Sequence, residues 1–315
     1  MFVSGKVIVG DNRETLKSLA DGSVQCVVTS PPYWGLRDYG NDDQIGLEPV
    51  PDDYVEELCK VFDEVWRVLA DDGTLWLNLG DTYVGTGSKG DLKDPKYADG
   101  RNGQAVALNG KVQGLKSKDM VGIPWRVAFA LQARGWYLRQ DIIWAKPNPM
   151  PEPVTDRCVK SHEYMFLLTK SARYYFDHLA IREPVVTATG GNGVKFGGNK
   201  YGDSDDPKHA TKSGNIFGGA DMRNKRDIWT VSVASYSEAH FATYPPDLIR
   251  PCILAGTKEG DTVLDPFSGS GTTGAVAMQA GRNYVGLELN PEYADLSLKR
   301  ISDAVGMFGD VEVIR

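Results

Sequence analysis

The stretch from Thr262 to Glu288 constrains the fold more than any other part of this chain. Thr262-Val263-Leu264 reads as a short buried strand that ends at Asp265, and Phe267-Ser268-Gly269-Ser270-Gly271 supplies a glycine turn. Glycine lets a backbone bend tightly and approach a neighbour closely. Thr272 to Ala280 is then helical, and Asn283-Tyr284-Val285-Gly286-Leu287 is a second strand ending at Glu288. Strand, turn, helix and strand in that order form the unit from which parallel sheets are assembled.

The rest of the chain repeats the alternation. Lys6 to Val9 is a short strand and Arg13 to Leu19 a short helix. Val24 to Thr29 is a near-continuous apolar run, as a strand buried on both faces requires. It stops at Ser30-Pro31-Pro32, because two prolines cannot continue a central strand. From Asp52, the residues Val55, Leu58, Cys59, Phe62, Val65, Trp66 and Leu69 recur at helical spacing, and Asp71-Asp72-Gly73 breaks the pattern. Strands follow at Thr74–Leu79, Trp136–Ala145 and Tyr164–Thr169, with Tyr174-Tyr175-Phe176 placed to pair with the last. Helices are expected at Ile123–Ala133, Pro245–Ala255 and Glu292–Ile301. The pattern predicts an α/β fold with a doubly wound, mostly parallel, Rossmann-like sheet. Two stretches lack periodicity. Residues 84–119 read as a long mobile loop and 185–226 as a glycine-rich polar insertion. The domain reading is therefore 1–184, then the insertion 185–226, then 227–315.

Composition narrows the class. The hydrophobic share of 41% in 315 residues builds a sizeable core. No apolar run is long enough to cross a membrane, and the N-terminus lacks the form of a signal peptide, so a cytoplasmic location and no membrane partner are expected. Cys26, Cys59, Cys158 and Cys252 form no Cys-x-x-Cys pair, and the four histidines make no ligand spacing, so no metal is expected. Cys26, Cys59 and Cys252 fall in strand or helix patterns and are assigned to core packing. The net charge of −7 does not favour a nucleic-acid partner, since phosphate contacts need Lys and Arg. Basic residues are nonetheless concentrated in the two insertions: Lys89, Lys111, Lys116 and Lys118 in the first, Lys195, Lys200, Arg223, Lys225 and Arg226 in the second, the latter interleaved with aspartates.

Two motifs carry chemistry. In nucleotide-binding α/β folds the glycine turn after a strand approaches the ligand, and an acid ending the next strand bonds ribose hydroxyls. Asp265, Pro266, Phe267, Ser268, Gly269, Ser270, Gly271 and Thr272, with Glu288 as the acid, fit that arrangement. The turn lacks the full Gly-x-Gly-x-x-Gly of dinucleotide enzymes, and a phosphate-free nucleoside such as S-adenosyl-L-methionine suits the shorter form. The second motif is Thr29-Ser30-Pro31-Pro32-Tyr33. The lone pair of an exocyclic amine on a heteroaromatic ring is delocalised, and must be drawn toward tetrahedral geometry before it attacks a sulfonium methyl. The Ser30 hydroxyl and the Pro31 carbonyl can accept from the two N–H groups and stabilise the charge that develops on nitrogen. Pro31 and Pro32 stiffen the corner. Tyr33 offers a stacking face to a base, which has to leave the duplex to arrive there.

These residues resemble the amino-methylating DNA methyltransferases, the N4-cytosine/N6-adenine family. The order here, catalytic motif first and cofactor motif last, resembles the circularly permuted β arrangement of that family. The likeness covers roughly Lys6–Phe176 and Arg226–Ile301. It implies a class I methyltransferase fold, S-adenosyl-L-methionine as cofactor and double-stranded DNA as substrate. It matches Thr29–Tyr33 to the catalytic motif, Asp265–Gly271 to the methionine loop, Glu288 to the ribose acid, and Asp11 to a position near the cofactor's adenine. His240-Phe241-Ala242-Thr243-Tyr244-Pro245 resembles the box before the cofactor strand, and Trp144 with Lys146-Pro147 would flank the target base. Ser30 is more typical of N4-cytosine enzymes, whereas adenine enzymes usually carry Asp there and commonly a Lys where this chain has Tyr244. Cytosine N4 is the expectation and adenine N6 the alternative. The resemblance also implies a target-recognition region at 185–226, and restriction-modification as the setting, with no residue that speaks for or against an endonuclease partner. The acidic surface admits a homodimer sharing one basic cleft.

Three other classes fit the residues less well. One is a methyltransferase acting on RNA or on a protein amide: amide-methylating enzymes use a related proline-proline-tyrosine corner, usually with Asn in front, and Ser30 and the permuted order speak against this class. An NAD-dependent oxidoreductase is disfavoured by the incomplete glycine fingerprint. A catalytically silent DNA-binding protein is disfavoured by the intact Ser30–Tyr33 and Phe267–Gly271.

Overall fold

In a computed structural model, residues 2–35, 43–85, 114–184, 222–233 and 244–315 are described. They fall into two compact units. The larger comprises Met1–Asp177 and Arg226–Arg315, and the smaller His178–Lys225.

In chain order the elements of the larger unit are β1 (Val3–Val9), α1 (Asn12–Thr15) running into a short 3-10 turn (Leu16–Ser18), β2 (Val24–Thr29), α2 (Pro51–Val68), β3 (Leu69–Leu79), α3 (Ile123–Ala133), β4 (Tyr137–Ala145) and β5 (His162–Thr169). In the smaller unit β6 (Glu183–Pro184) and β7 (Met222–Arg223) pair antiparallel, and Arg223 bonds Glu183 at 2.8 Å. The larger unit resumes with β8 (Ile228–Thr230), α4 (Pro246–Gly256), β9 (Thr262–Asp265), α5 (Thr272–Gln279), β10 (Asn283–Glu288), α6 (Pro291–Val305) and β11 (Gly309–Ile314).

The strands of the larger unit form one sheet in the order β11-β1-β10-β9-β2-β3-β5-β4-β8. Pairing is parallel from β11 through β3, antiparallel on both sides of β5, and parallel again between β4 and β8. The expected doubly wound, mostly parallel sheet is therefore present, and its end strands β8 and β11 were not foreseen. Both faces are covered, as buried parallel strands require. One core cluster gathers Leu58, Phe62, Val65, Val127 and Leu131 of α2 and α3 with Val27, Leu75 and Leu77 of the sheet. A second gathers Ala275, Met278, Ala294 and Ile301 of α5 and α6 with Val3, Val7 and Tyr284.

Three local expectations change. Asp71-Asp72-Gly73 does not break the chain but lies within β3, where the register against β2 shifts. A Cβ at Gly73 would come 2.6 Å from the Leu69 side chain and 2.9 Å from the Gln25 carbonyl, so only glycine fits this bulge. Residues 174–176 form no strand. The backbone of Tyr175 instead donates to the Asp72 carbonyl at 2.8 Å, outside the ladder of β5. The region read as one loop from residue 84 begins as a paired stem, with bonds from Val84 to Asp119 and from Val121 to Thr82. Its centre, 86–113, lies outside the described residues, as does 185–221. Cys26, Cys59 and Cys252 are buried, as packing residues should be.

Candidate active site

Sheet connectivity sets the position of the site. From β9 the chain crosses through α5 to β10 on one side, and from β2 through α2 to β3 on the other. Neighbouring strands whose crossovers diverge leave a crevice at their carboxyl ends, where ligands of such sheets bind. A cavity of about 470 Å³ opens there. It is lined from one side by Pro266–Ser270, Thr272 and Glu288, and from the other by Ser30–Tyr33.

The two strands are bolted together behind that cavity. Asp265, buried at the end of β9, accepts from Thr29 Oγ1 of β2 at 2.6 Å and from the Phe267 amide at 3.1 Å through Oδ1. Through Oδ2 it accepts from Thr273 Oγ1 at 2.7 Å and from the Tyr244 hydroxyl at 3.0 Å. Burial pushes this carboxyl above the usual carboxylate range, and the donors from Thr273, Thr29, Phe267 and Tyr244 pull it back. Thr29, Asp265 and Gly271, expected among the cofactor contacts, are not on the cavity wall. The polar side chains of Thr29 and Asp265 are occupied with each other, and all three residues shape the turn from behind. Gly271 adopts a left-handed conformation (φ 75°) at the N-cap of α5, and a Cβ there would stand 2.3 Å from Ser297 Oγ and 3.0 Å from its Cα.

At the cofactor end, Glu288 sits at the tip of β10 with both oxygens engaged, by the amides of Gly269 at 2.7 Å and Asn290 at 2.9 Å. Burial pushes its carboxyl up to about 7. Asp11, Asn12, Leu289, Asn290 and Tyr293 continue the wall. Asp11 caps α1 and holds Arg13 in a bidentate pair, with its shortest approach at 2.5 Å. Burial opposes the charge on Asp11, but the Arg13 hydrogen bonds and guanidinium together hold it below its ordinary value. Thr272, also on the wall, has a buried hydroxyl without a hydrogen-bond partner. A buried polar group needs a partner, and a ligand in this cavity would supply one. A turn of backbone, an orphan hydroxyl at a helix start and a buried carboxylate together fit a nucleoside bearing an amino-acid tail.

At the other end the corner is equally fixed. Tyr54 of α2 donates to the Pro32 carbonyl at 2.7 Å, and the Trp34 indole donates to the Glu48 carbonyl at 2.8 Å. The Tyr33 ring lies against Gly80, where a Cβ would stand 2.5 Å from Cε2. The Tyr33 hydroxyl donates to Glu163 Oε2 at 2.7 Å and reaches Asn78 Oδ1 at 3.3 Å. Glu163 also pairs through Oε1 with the Lys146 ammonium, which stands 4.2 Å from the centre of the Trp144 ring. Burial, together with the Glu163 charge, lifts the Tyr33 phenol well above its ordinary range, and Ser30 acts the other way.

Of the expected site residues, Asp11, Ser30, Pro31, Pro32, Tyr33, Pro266, Phe267, Ser268, Gly269, Ser270, Thr272 and Glu288 share the one cavity. Trp144 and Lys146 join them. Asn78, Glu163 and Tyr293 were missed. A polar residue within the apolar run Leu75–Leu79, and an acid opening the run Tyr164–Leu168, are the signals that could have found the first two.

The basic residues expected to meet DNA are less gathered. Lys118 is paired with Asp156 at 2.6 Å and Arg223 with Glu183, so carboxylates already neutralise them. Lys116, Lys118 and Arg226 are not on the cavity wall. Lys225 belongs to the smaller unit. Lys89, Lys111, Lys195, Lys200 and residues 240–243 lie outside the described residues.

Sequence and fold both match known proteins. A family model described as DNA methylase, for N6 and N4 enzymes, matches residues 24–299. The type II methyltransferase M.Cfr9I of Citrobacter freundii is 48% identical over 311 residues, covering 97% of this chain and 89% of that protein. The type II methyltransferase M.SmaI of Serratia marcescens is 47% identical over 299 residues, covering 95% and 91%. Among solved structures, the PvuII DNA methyltransferase (cytosine-N4-specific) superposes with a TM-score of 0.63 at 19% identity, covering 99% of this chain and 96% of that one. A Thermus thermophilus protein solved with S-adenosyl-L-methionine superposes with a TM-score of 0.60 at 24% identity, covering 99% and 100%.

Proposed function

The chain belongs to the N6/N4 DNA methylase family and is an S-adenosyl-L-methionine-dependent DNA methyltransferase; we propose that the nitrogen it methylates is the exocyclic N4 of a cytosine turned out of the duplex. One observation carries the choice of base. The acceptor at the head of the proline corner is the neutral hydroxyl of Ser30, where adenine enzymes of the resembling family usually carry Asp. Tyr244 supports it. Its hydroxyl is buried between Asp265 and Thr273, at the position where adenine enzymes of the resembling family commonly carry Lys.

The cofactor supplies an electrophilic methyl group. The chain's own residues do the rest. Glu288 would accept from the ribose hydroxyls, and Thr272 with the start of α5 would receive the amino-acid end. Tyr33, backed by Gly80, presents one ring face to the base. Ser30 Oγ and the Pro31 carbonyl accept from the two N–H groups, drawing the nitrogen toward tetrahedral geometry and stabilising its developing positive charge. After transfer, the cationic nitrogen gives up one of these N–H protons to solvent water, by way of the acceptor that holds it. The Tyr54 bond to Pro32 keeps the corner from turning away.

The same reading makes 1–184 and 227–315 the catalytic and cofactor halves of one methyltransferase domain, and 185–226 its target-recognition segment. The test is to incubate the protein with unmethylated plasmid DNA and S-adenosyl-L-methionine, digest to nucleosides and identify the modified base by mass spectrometry, with Ser30→Ala alongside. N4-methylcytosine that vanishes in the variant is the expected result. N6-methyladenine would overturn the base assignment.

A further inference from the structure

Glu163 stands where β5 enters the sheet, beside β4 on one flank and β3 on the other. It lines the cavity, yet its side chain is only 14% exposed. Its two oxygens face different partners. Oε2 accepts from the Tyr33 hydroxyl at 2.7 Å and from Asn78 Nδ2 at 3.3 Å, and Oε1 takes the Lys146 ammonium. Asn78 is itself fixed by donating to the Tyr164 carbonyl at 3.0 Å. Lys146 rests over Trp144. A carboxylate buried to this degree is retained only when its lone pairs are filled and a cation balances it, and here both conditions are met.

We propose that Glu163 is a positioning residue for the target base: it locks the hydroxyl end of the Tyr33 ring while Gly80 backs the ring face, so that the stacking plane is set before the base arrives. The proposal rests on the methyltransferase reading of this cavity. A phenol anchored at one end and packed along one face keeps neither of its ring torsions free. An unanchored ring would have to be ordered by the incoming base, and each such ordering step weakens transition-state placement. The ion pair with Lys146 serves the same end. It occupies Oε1, which leaves Oε2 to face the phenol.

Three variants separate this role from general support of the fold: Glu163→Ala, Glu163→Gln and Tyr33→Phe, with the double variant Tyr33→Phe/Glu163→Ala. Methyl transfer to unmethylated plasmid DNA would be measured with kcat and KM separated, and cofactor affinity measured by calorimetry. Loss of ring placement is expected to lower kcat by up to about a hundredfold in Glu163→Ala, with cofactor affinity unchanged. Glu163→Gln keeps an acceptor for the phenol and should recover most of that loss. If Glu163 acts through the phenol, the double variant is no worse than the poorer single one. Additive losses, or an unchanged kcat in Glu163→Ala, would overturn the proposal. A crystal structure of Glu163→Ala gives a readout independent of turnover. The Tyr33 ring should leave its plane against Gly80, and a ring that stays in place sinks the proposal even in an active enzyme. A wild type without activity whose ring still moves in the variant would instead refute the functional reading and leave the positioning role standing.

Discussion

The two ends of the cavity are built by different means. The cofactor end is backbone: a turn from Pro266 to Gly271, a helix start and the tip of β10, all drawn from one continuous stretch. Asp265 holds it by accepting four hydrogen bonds, two of them from residues within that stretch, Phe267 and Thr273. The base end is side chains. Ser30–Tyr33, Asn78, Lys146 and Glu163 come from separate parts of the chain and meet through charge and a phenol. A site made of backbone is fixed by conformation, so single changes there should damage the fold. A site made of side chains on finished strands should lose chemistry first and stability second.

The largest effect should fall at the hinge of the cofactor end. Asp265→Ala removes the acceptor of four donors, three of them buried, each costing about 1–3 kcal/mol if it finds no other partner. With partial rearrangement the loss should be on the order of 4 kcal/mol in urea unfolding, and cofactor binding should go with it. Gly271→Ala combines a left-handed φ with a Cβ driven into Ser297. It should cost about 3 kcal/mol. Gly269 shares the left-handed conformation (φ 53°), but the nearest atom to its Cβ would be 3.9 Å away. Gly269→Ala should therefore cost only about 1–2 kcal/mol. Equal losses at the two glycines would show that conformation alone, and not packing against α6, fixes the turn.

At the base end, Ser30→Ala should lower methyl transfer by about 10²–10³-fold, the scale of one lost transition-state acceptor or donor. The melting temperature and cofactor affinity should stay near the wild type. A melting temperature that falls with the activity would erase the distinction between the two ends.

This contrast also explains what could be read from the chain alone. The cofactor end was legible because its signal is local: strand, glycine turn, helix and acid follow one another in sequence, and the structure places all but Asp265 and Gly271 of that motif on the wall. The proline corner was legible for the same reason. Asn78 and Glu163 were not. Asn78 lies within the apolar run Leu75–Leu79 and Glu163 just before the run Tyr164–Leu168, and nothing local says that two strands far apart in sequence will be brought beside Tyr33. Pairing of β3 with β5 does that, and antiparallel register at that edge is a long-range property. For Asp265 the motif gives a place near the ligand but not which way its oxygens turn, and they turn to Thr29, Phe267, Thr273 and Tyr244. β11 was missed although Val311 and Val313 alternate with polar neighbours, since so short a strand at a chain end has little pattern to read.

A smaller effect follows from Glu288, whose carboxyl is pushed by burial from 4.5 up to about 7. The ionised form is the stronger acceptor for ribose hydroxyls, so cofactor affinity should rise as pH climbs through about 7 and level off above it. Stability of the cofactor-free protein should move the other way. In the window between 4.5 and about 7 the folded state holds the proton that the unfolded chain releases, so the Glu288 contribution is greatest at the acid side and is lost as pH rises through the window. Calorimetric binding and thermal unfolding across roughly pH 5 to 8 read the two opposed trends. Glu288→Gln should abolish both, and a variant that keeps the affinity trend would move the titration to another group.

The smallest effect belongs to neither end. Lys118 is two-thirds exposed and paired with Asp156, itself 57% exposed. Exposed pairs contribute about 0–1 kcal/mol, so Lys118→Ala should leave stability almost unchanged. If the lysine turns from Asp156 to a phosphate when DNA binds, its removal should flatten the slope of log affinity against log salt by about 1, alike on any sequence. Asp156→Ala sharpens the point. Freed from its partner carboxylate, Lys118 should then bind DNA somewhat more tightly at low salt. An unchanged salt slope in both variants would assign the pair to holding the 116–121 stem near Asp156, and would leave the duplex to other basic residues.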